Sequence, residues 1–131
     1  EAVEDEQAAL DLAQKIRDLG VRAGFSIKPS TPIEPWLDKL SHFDLALVMS
    51  VEPGFGGQQF MPEMLDKVRK LRAAIDEQQL ETIIEIDGGI SAETIRESAE
   101  AGCDAFVAGS AIFKKDDKAA EVDNLRQLAT L

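Results

Sequence analysis

Leu45-Ala46-Leu47-Val48-Met49-Ser50 runs apolar almost without a break toward the glycine-rich stretch Pro53-Gly54-Phe55-Gly56-Gly57-Gln58. An unbroken apolar run of this length reads as a strand covered on both faces, the habit of parallel sheets. The glycines after it mark a loop at the strand's carboxyl end. The same unit recurs along the chain. Ile83-Ile84-Glu85-Ile86-Asp87 is followed by Gly88-Gly89, and Ala105-Phe106-Val107-Ala108 by Gly109-Ser110. A further short apolar stretch, Val21 to Ile27, is closed by Lys28-Pro29.

Helical periodicity fills the gaps. Ala9, Leu12, Ala13, Ile16 and Leu19 stripe residues 4–19, with Gly20 where a helix C′ residue belongs. Ser30-Thr31-Pro32 leads into a predicted helix over 33–41. Met61, Met64, Leu65, Val68, Leu71 and Ile75 share one face of a helix over 62–78. Ser91, with Thr94 three residues on, opens a box-like cap for a helix ending near Ala101, before Gly102. A last helix begins near 117. The order is αβαβαβαβα, with parallel strands at 21–27, 45–50, 83–87 and 105–108, adjacent in chain order and joined by right-handed crossovers. The outer strands, 21–27 and 105–108, should expose apolar edges that invite self-association.

Composition narrows the function classes. The 131 residues carry 14 basic and 25 acidic side chains, a formal charge of −11, with 44% hydrophobic residues. That balance fits one globular domain, 1–131. The negative charge argues against a nucleic-acid groove or an anionic-membrane surface, which need a basic face. A small anion remains open, because backbone N–H groups hold one without lysine. A lone Cys103 forms no internal disulfide and no cysteine metal cluster, which allows a reducing compartment. No apolar run reaches the roughly 18 residues of a membrane span. The acidic opening, Glu1-Ala2-Val3-Glu4-Asp5-Glu6, is unlike a signal peptide, and the absence of a first methionine suggests a processed or truncated product.

Three of the four strands end in glycine-bearing loops, and loops at the carboxyl ends of strands build the sites of α/β folds. Glycines let backbone N–H groups approach a ligand closely, so these loops read as a phosphate cradle. Asp87, the last residue of its strand with two glycines behind it, is the best catalytic candidate: its carboxylate suits proton transfer or a divalent metal. Met49 suits a soft apolar wall. Glu52 reads as loop-shaping, His42 as a surface or capping histidine, and Lys114-Lys115-Asp116-Asp117 as a solvated turn.

Val48-Met49-Ser50-Val51-Glu52-Pro53-Gly54-Phe55-Gly56-Gly57-Gln58 closely resembles the signature of the ribulose-phosphate 3-epimerase family. Glu85-Ile86-Asp87-Gly88-Gly89-Ile90 and Val107-Ala108-Gly109-Ser110-Ala111-Ile112-Phe113 resemble its second and third motifs, in the same order. The resemblance implies an α/β (β/α)8 TIM barrel, of which this chain is the C-terminal half with four parallel strands and about five helices. It implies an isomerase that interconverts D-ribulose 5-phosphate and D-xylulose 5-phosphate in the pentose phosphate pathway. Residue by residue, it implies that Gly54, Phe55, Gly56 and Gly57 close on the substrate and that Met49 lies beside the enediolate. Gly88, Gly89, Gly109 and Ser110 would grip the phosphate. Asp87 would be one of two acid/base carboxylates and a ligand of one divalent metal ion (Zn, Fe, Mn or Co). The family's two metal-binding histidines, its other catalytic aspartate and an early serine would lie on strands before Glu1. A homo-oligomer and a cytoplasmic or plastid location follow from the same resemblance. Two alternatives stand beside it: another phosphate-binding barrel enzyme, and a non-catalytic fragment that binds phosphate or pairs with a partner.

Overall fold

A computed structural model of the chain describes residues 2–54 and 58–131. The first helix, α1 (Glu6–Asp18), starts where Asp5 leaves helical geometry and its carboxylate accepts the Ala8 N–H at 2.7 Å. Glu6 in the first turn and Lys15 and Arg17 in the last complement the helix dipole. The strands β1 (Gly24–Ile27), β2 (Leu45–Met49), β3 (Ile83–Asp87) and β4 (Ala105–Val107) form one sheet in the order β1-β2-β3-β4. Every pairing is parallel, as the strand–helix alternation predicts. Helix α2 (Leu65–Glu77) follows a 3₁₀ turn at Pro62–Met64, and α3 (Ile95–Ala101), α4 (Ser110–Phe113) and α5 (Lys118–Ala129) complete the described helices.

The core lies on one side of the sheet. Ile27, Ala46, Val48, Ile84 and Ile86 meet Leu65, Val68, Leu71 and Ile75 of α2, Ile95 of α3 and Leu125 of α5. The apolar stripe read for 62–78 is therefore the main seam of the molecule. The unbroken apolar runs are not covered on both faces, however. Along β2 and β3 buried and half-buried residues alternate, because the described helices pack on one face only. Leu45, Leu47, Met49, Ile83, Glu85 and Asp87 point to the other side and belong to neither core cluster.

Four elements differ from the sequence reading. Strand β1 begins at Gly24 rather than 21, since the Ala23 N–H is taken by the Asp44 carboxylate at 2.8 Å and Val21 stands 57% exposed. The helix read for 33–41 does not form. Pro32 and Pro35 supply no N–H, no side chain caps the segment, and it closes as two 3₁₀ turns, Glu34–Trp36 and Leu40–His42. Trp36 packs instead into a cluster with Phe25 and Phe43, its ring centroid 5.3 Å from that of Phe25. The third helix starts at Ile95, later than Ser91, although half of the expected box is present: Thr94 Oγ1 accepts the Ser91 N–H at 3.0 Å. Five α-helices are found among the described residues, but the set differs from the expected one, since 33–41 drops out and the short α4 enters.

Two aspartates set the register at the amino ends of the strands. The Asp44 carboxylate, just before β2, accepts the N–H of Ala23, the residue that leads into β1, and the Arg17 guanidinium of α1 at 3.0 Å. Asp104, just before β4, accepts the Ile84 N–H at 2.9 Å and Arg72 of α2 at 2.6 Å. The same device recurs in both halves of the sheet: helix arginine, strand-leading aspartate, neighbouring strand amide.

Candidate active site

The register carries Met49, Asp87 and Val107 side by side at the carboxyl ends of β2, β3 and β4. All three sit on the face away from the core, where side chains alternate out of the helix-packed layer. Together they floor a cavity of about 330 Å³. Its walls are Val51, Glu52, Pro53, Gly54 and Gln58 from the loop after β2, Gly88, Gly89 and Ile90 from the loop after β3, and Gly109 with Ser110 after β4. The structure thus brings together Met49, Gly54, Asp87, Gly88, Gly89, Gly109 and Ser110, seven of the residues singled out in the sequence. Phe55, Gly56 and Gly57 lie outside the described residues.

Asp87 is half-buried, and among the described residues no donor is found for its carboxylate. Its oxygens are therefore available to the cavity. The described walls carry no lysine or arginine, so an anion held here would be held by backbone amides and hydroxyls. Gly88 and Gly89 are required by the packing behind them. Gly88 takes φ +132° and a Cβ there would stand 2.7 Å from the Val51 nitrogen. Gly89 takes φ +68° and a Cβ would stand 2.7 Å from the Phe60 nitrogen. No L side chain fits either place without moving backbone.

The loop is pinned from several sides. The Thr94 hydroxyl donates to Gly89 O at 2.9 Å. Ser50, fully buried, donates its hydroxyl to Gly88 O at 2.6 Å and its N–H to Asp87 O at 2.8 Å, while Met61 N–H donates to Ser50 O at 2.9 Å. The sequence reading passed over Ser50, which shows in the sequence only as a polar residue on the inward phase of an apolar run. It also set Glu52 aside as loop-shaping, and Glu52 stands on the cavity wall.

Metal binding is a different matter. Among the described residues no three His, Cys, Asp or Glu side chains gather to hold an ion. His42 closes the 3₁₀ turn before β2, at the end of the sheet opposite Asp87. Cys103, at that same end, is buried, and burial, with Asp104 adding to it, pushes its thiol up to about 12. A second cavity of about 370 Å³ lies between α1 and β1, lined by Phe25, Trp36, Phe43 and apolar residues of α1.

The chain has relatives among known proteins. The family model described as the ribulose-phosphate 3 epimerase family matches residues 2–113. The ribulose-phosphate 3-epimerase of Mycobacterium tuberculosis (strain ATCC 25618 / H37Rv) is 58% identical over 118 residues, covering 90% of this chain and 52% of the relative. That of Escherichia coli (strain K12) is 46% identical over 114 residues, covering 86% and 50%. The chain spans about half the length of the curated relatives it matches. Among solved structures, 3-hexulose-6-phosphate synthase from Salmonella typhimurium superposes with a TM-score of 0.68 at 19% identity, over 97% of this chain and 58% of that one. A tryptophan synthase α-subunit from Pyrococcus furiosus gives 0.60 at 17% identity, over 96% and 51%. At such identities these neighbours speak for the fold, part of a (β/α)8 barrel, and for nothing more. With matching motifs, matching sheet and a family model that spans most of its length, the chain belongs to the ribulose-phosphate 3-epimerase family.

Proposed function

We propose that this chain supplies the phosphate grip and one of two proton-transfer carboxylates of an enzyme interconverting D-ribulose 5-phosphate and D-xylulose 5-phosphate, and that residues 1–131 are one domain, the C-terminal half of the barrel. The observation that carries this reading is the shared cavity: Asp87 on its floor, with Gly88, Gly89, Gly109 and Ser110 on the wall beside it. Epimerisation at C3 removes a proton from one face and returns one to the other. Asp87 Oδ takes or gives the proton on its own face. The glycine amides and the Ser110 hydroxyl hold the phosphate at a fixed distance, so that C3 is presented to that oxygen. Met49 walls the floor with a polarisable, non-acidic surface that keeps water from the carbanion. Gly54, on the loop that walls the cavity, covers the substrate.

Family membership is consistent with a divalent metal cofactor. The described residues do not make a metal site by themselves, since Asp87 is the one expected ligand that the cavity holds. Histidine has no counterpart among the cavity residues, and the second carboxylate there, Glu52, belongs to the loop after β2. We further propose self-association through the outer strands, and a cytoplasmic setting in keeping with a sugar-phosphate substrate and an unpaired Cys103. Among the described residues no helix is long and apolar enough to cross a membrane.

The test joins this chain to the N-terminal half of the M. tuberculosis relative and measures conversion of D-ribulose 5-phosphate. Conversion by the joined protein, with none above background from the 131-residue chain with or without added divalent metal, supports the reading. Full activity from the chain alone, or a folded joined protein without activity, overturns it.

A further inference from the structure

We infer that Ser50 is a positioning residue that aims the Gly89 amide into the cavity beside Asp87. A peptide unit flanked by glycine on both sides has little steric preference for one orientation of its plane, because neither neighbour has a Cβ to resist rotation. Something else must select the orientation of the Gly88–Gly89 unit. Its carbonyl end is held: the Ser50 hydroxyl donates to Gly88 O at 2.6 Å. Ser50 is fully buried and follows the phase of Ala46 and Val48, which places its side chain on the helix-packed side of the sheet.

The chain has no cis peptide bonds among its described residues. In a trans peptide the C=O and the N–H point in opposite directions. With Gly88 C=O drawn toward the core, Gly89 N–H points the other way, to the face that carries Met49 and Asp87. Gly89 lies outside the strand and is exposed, and among the described residues its N–H has no acceptor. Ser50 is itself immobile, since its N–H donates to Asp87 O and its C=O accepts from Met61 N–H. One side chain therefore ties the loop after β2 to the loop after β3 and sets the direction of an amide at the cavity wall. The value of that direction for holding phosphate rests on the function proposed above; the direction itself does not.

The test measures N–H orientation directly, by residual dipolar couplings of the ¹⁵N-labelled chain in a dilute aligning medium. Ser50→Ala should change the Gly89 coupling while those of Ile84 and Ile86 in β3 stay as in wild type. Thr82→Val is the comparison: Thr82 is also buried, and its hydroxyl donates to Leu40 O and Phe43 O at the other end of the sheet. It should leave the Gly89 coupling unchanged. Ser50→Cys keeps the volume with a much weaker donor and carries the measurement if the alanine variant does not fold. An unchanged Gly89 coupling in whichever Ser50 variant folds overturns the inference. So does an equal change in Thr82→Val, which would mean general loosening. A second arm titrates inorganic phosphate and follows the Gly89 amide. Wild type should respond, with the midpoint raised at least about tenfold in Ser50→Ala, equivalent to one lost hydrogen bond to a charged group. A wild-type amide that ignores phosphate, with the Ser50-dependent coupling intact, removes the phosphate reading and leaves the positioning role standing.

Discussion

Asp87 earns its proposed role from position: it ends a buried strand, two glycines follow, and among the described residues its carboxylate has no donor. In the joined protein, Asp87→Asn should lower turnover at least about 10²-fold, the lower range for losing a general acid or base. An amide keeps the shape and cannot exchange the proton. The fall should appear in kcat with KM nearly unchanged, because the phosphate grip is untouched; an unchanged kcat removes Asp87 from the mechanism. Gly89→Ala addresses the loop rather than the acid. Its Cβ would meet the Phe60 backbone at 2.7 Å, and φ +68° is strained for alanine, so urea unfolding should show a loss of about 1–3 kcal/mol. Cys103 gives a third residue-level test. Its thiol is pushed up to about 12 by burial, so the folded protein favours the neutral form. That preference is fully present below the ordinary thiol range and is lost as pH rises toward 12. Native protein at pH 8 should react with a thiol reagent far more slowly than protein in urea; equal rates would contradict the burial.

At the scale of elements, the paired aspartates matter most. Asp44 and Asp104 each bind a helix arginine and an amide at or just before the start of the preceding strand, so each fixes where a helix and two strands meet. Asp44→Ala and Asp104→Ala should each cost about 1.5–3 kcal/mol in urea unfolding, the range for hydrogen bonds to charged groups. The Ala23 amide, with Arg17 beside it, holds the Asp44 carboxyl below its usual 3.8. A lowered folded value stabilises the native state above 3.8, and that contribution is lost as pH falls from there through the folded value. The stability difference between wild type and Asp44→Asn should therefore be flat near neutrality and shrink below 3.8. A difference that stays constant into strong acid would show that Asp44 does not act through its charge.

The described residues form a sheet with two ends. Its first and last strands, β1 and β4, have no partner on their outer sides among the described residues. Apolar side chains gather there: Leu12, Leu19 and Val21 stand 45%, 81% and 57% exposed beside β1, and Val107 and Phe113 stand 38% and 72% exposed around β4. The α1 stripe read from the sequence is accordingly covered only in part, with Ala9 and Ala13 buried and Leu12 open. Such edges favour association. Light scattering of the 131-residue chain should give a mean mass that rises across the micromolar range, and Val21→Lys should reduce the rise. A clean monomer at every concentration would contradict the proposed self-association.

Much of this was legible in one dimension. Strand–helix alternation is written in apolar spacing, because a side chain's burial repeats every two residues in a strand and every 3.6 in a helix. It therefore determined four parallel strands in chain order, the seam of α2, and Asp87 with Gly88 and Gly89 at one strand end. The motif after β2 carried the family resemblance, and the family model over residues 2–113 bears that resemblance out. Tertiary structure alone decided the rest. Apolar runs look the same whether one face or both are covered, so only packing showed that Leu45, Leu47 and Met49 turn away from the helices. A helix pattern at 33–41 cannot reveal that two prolines and a Phe25–Trp36–Phe43 cluster will win locally. Ser50 to Gly88 and Asp44 to Ala23 join residues 38 and 21 positions apart. A hydrogen bond is decided by a distance in space, and separation along the chain carries no record of it.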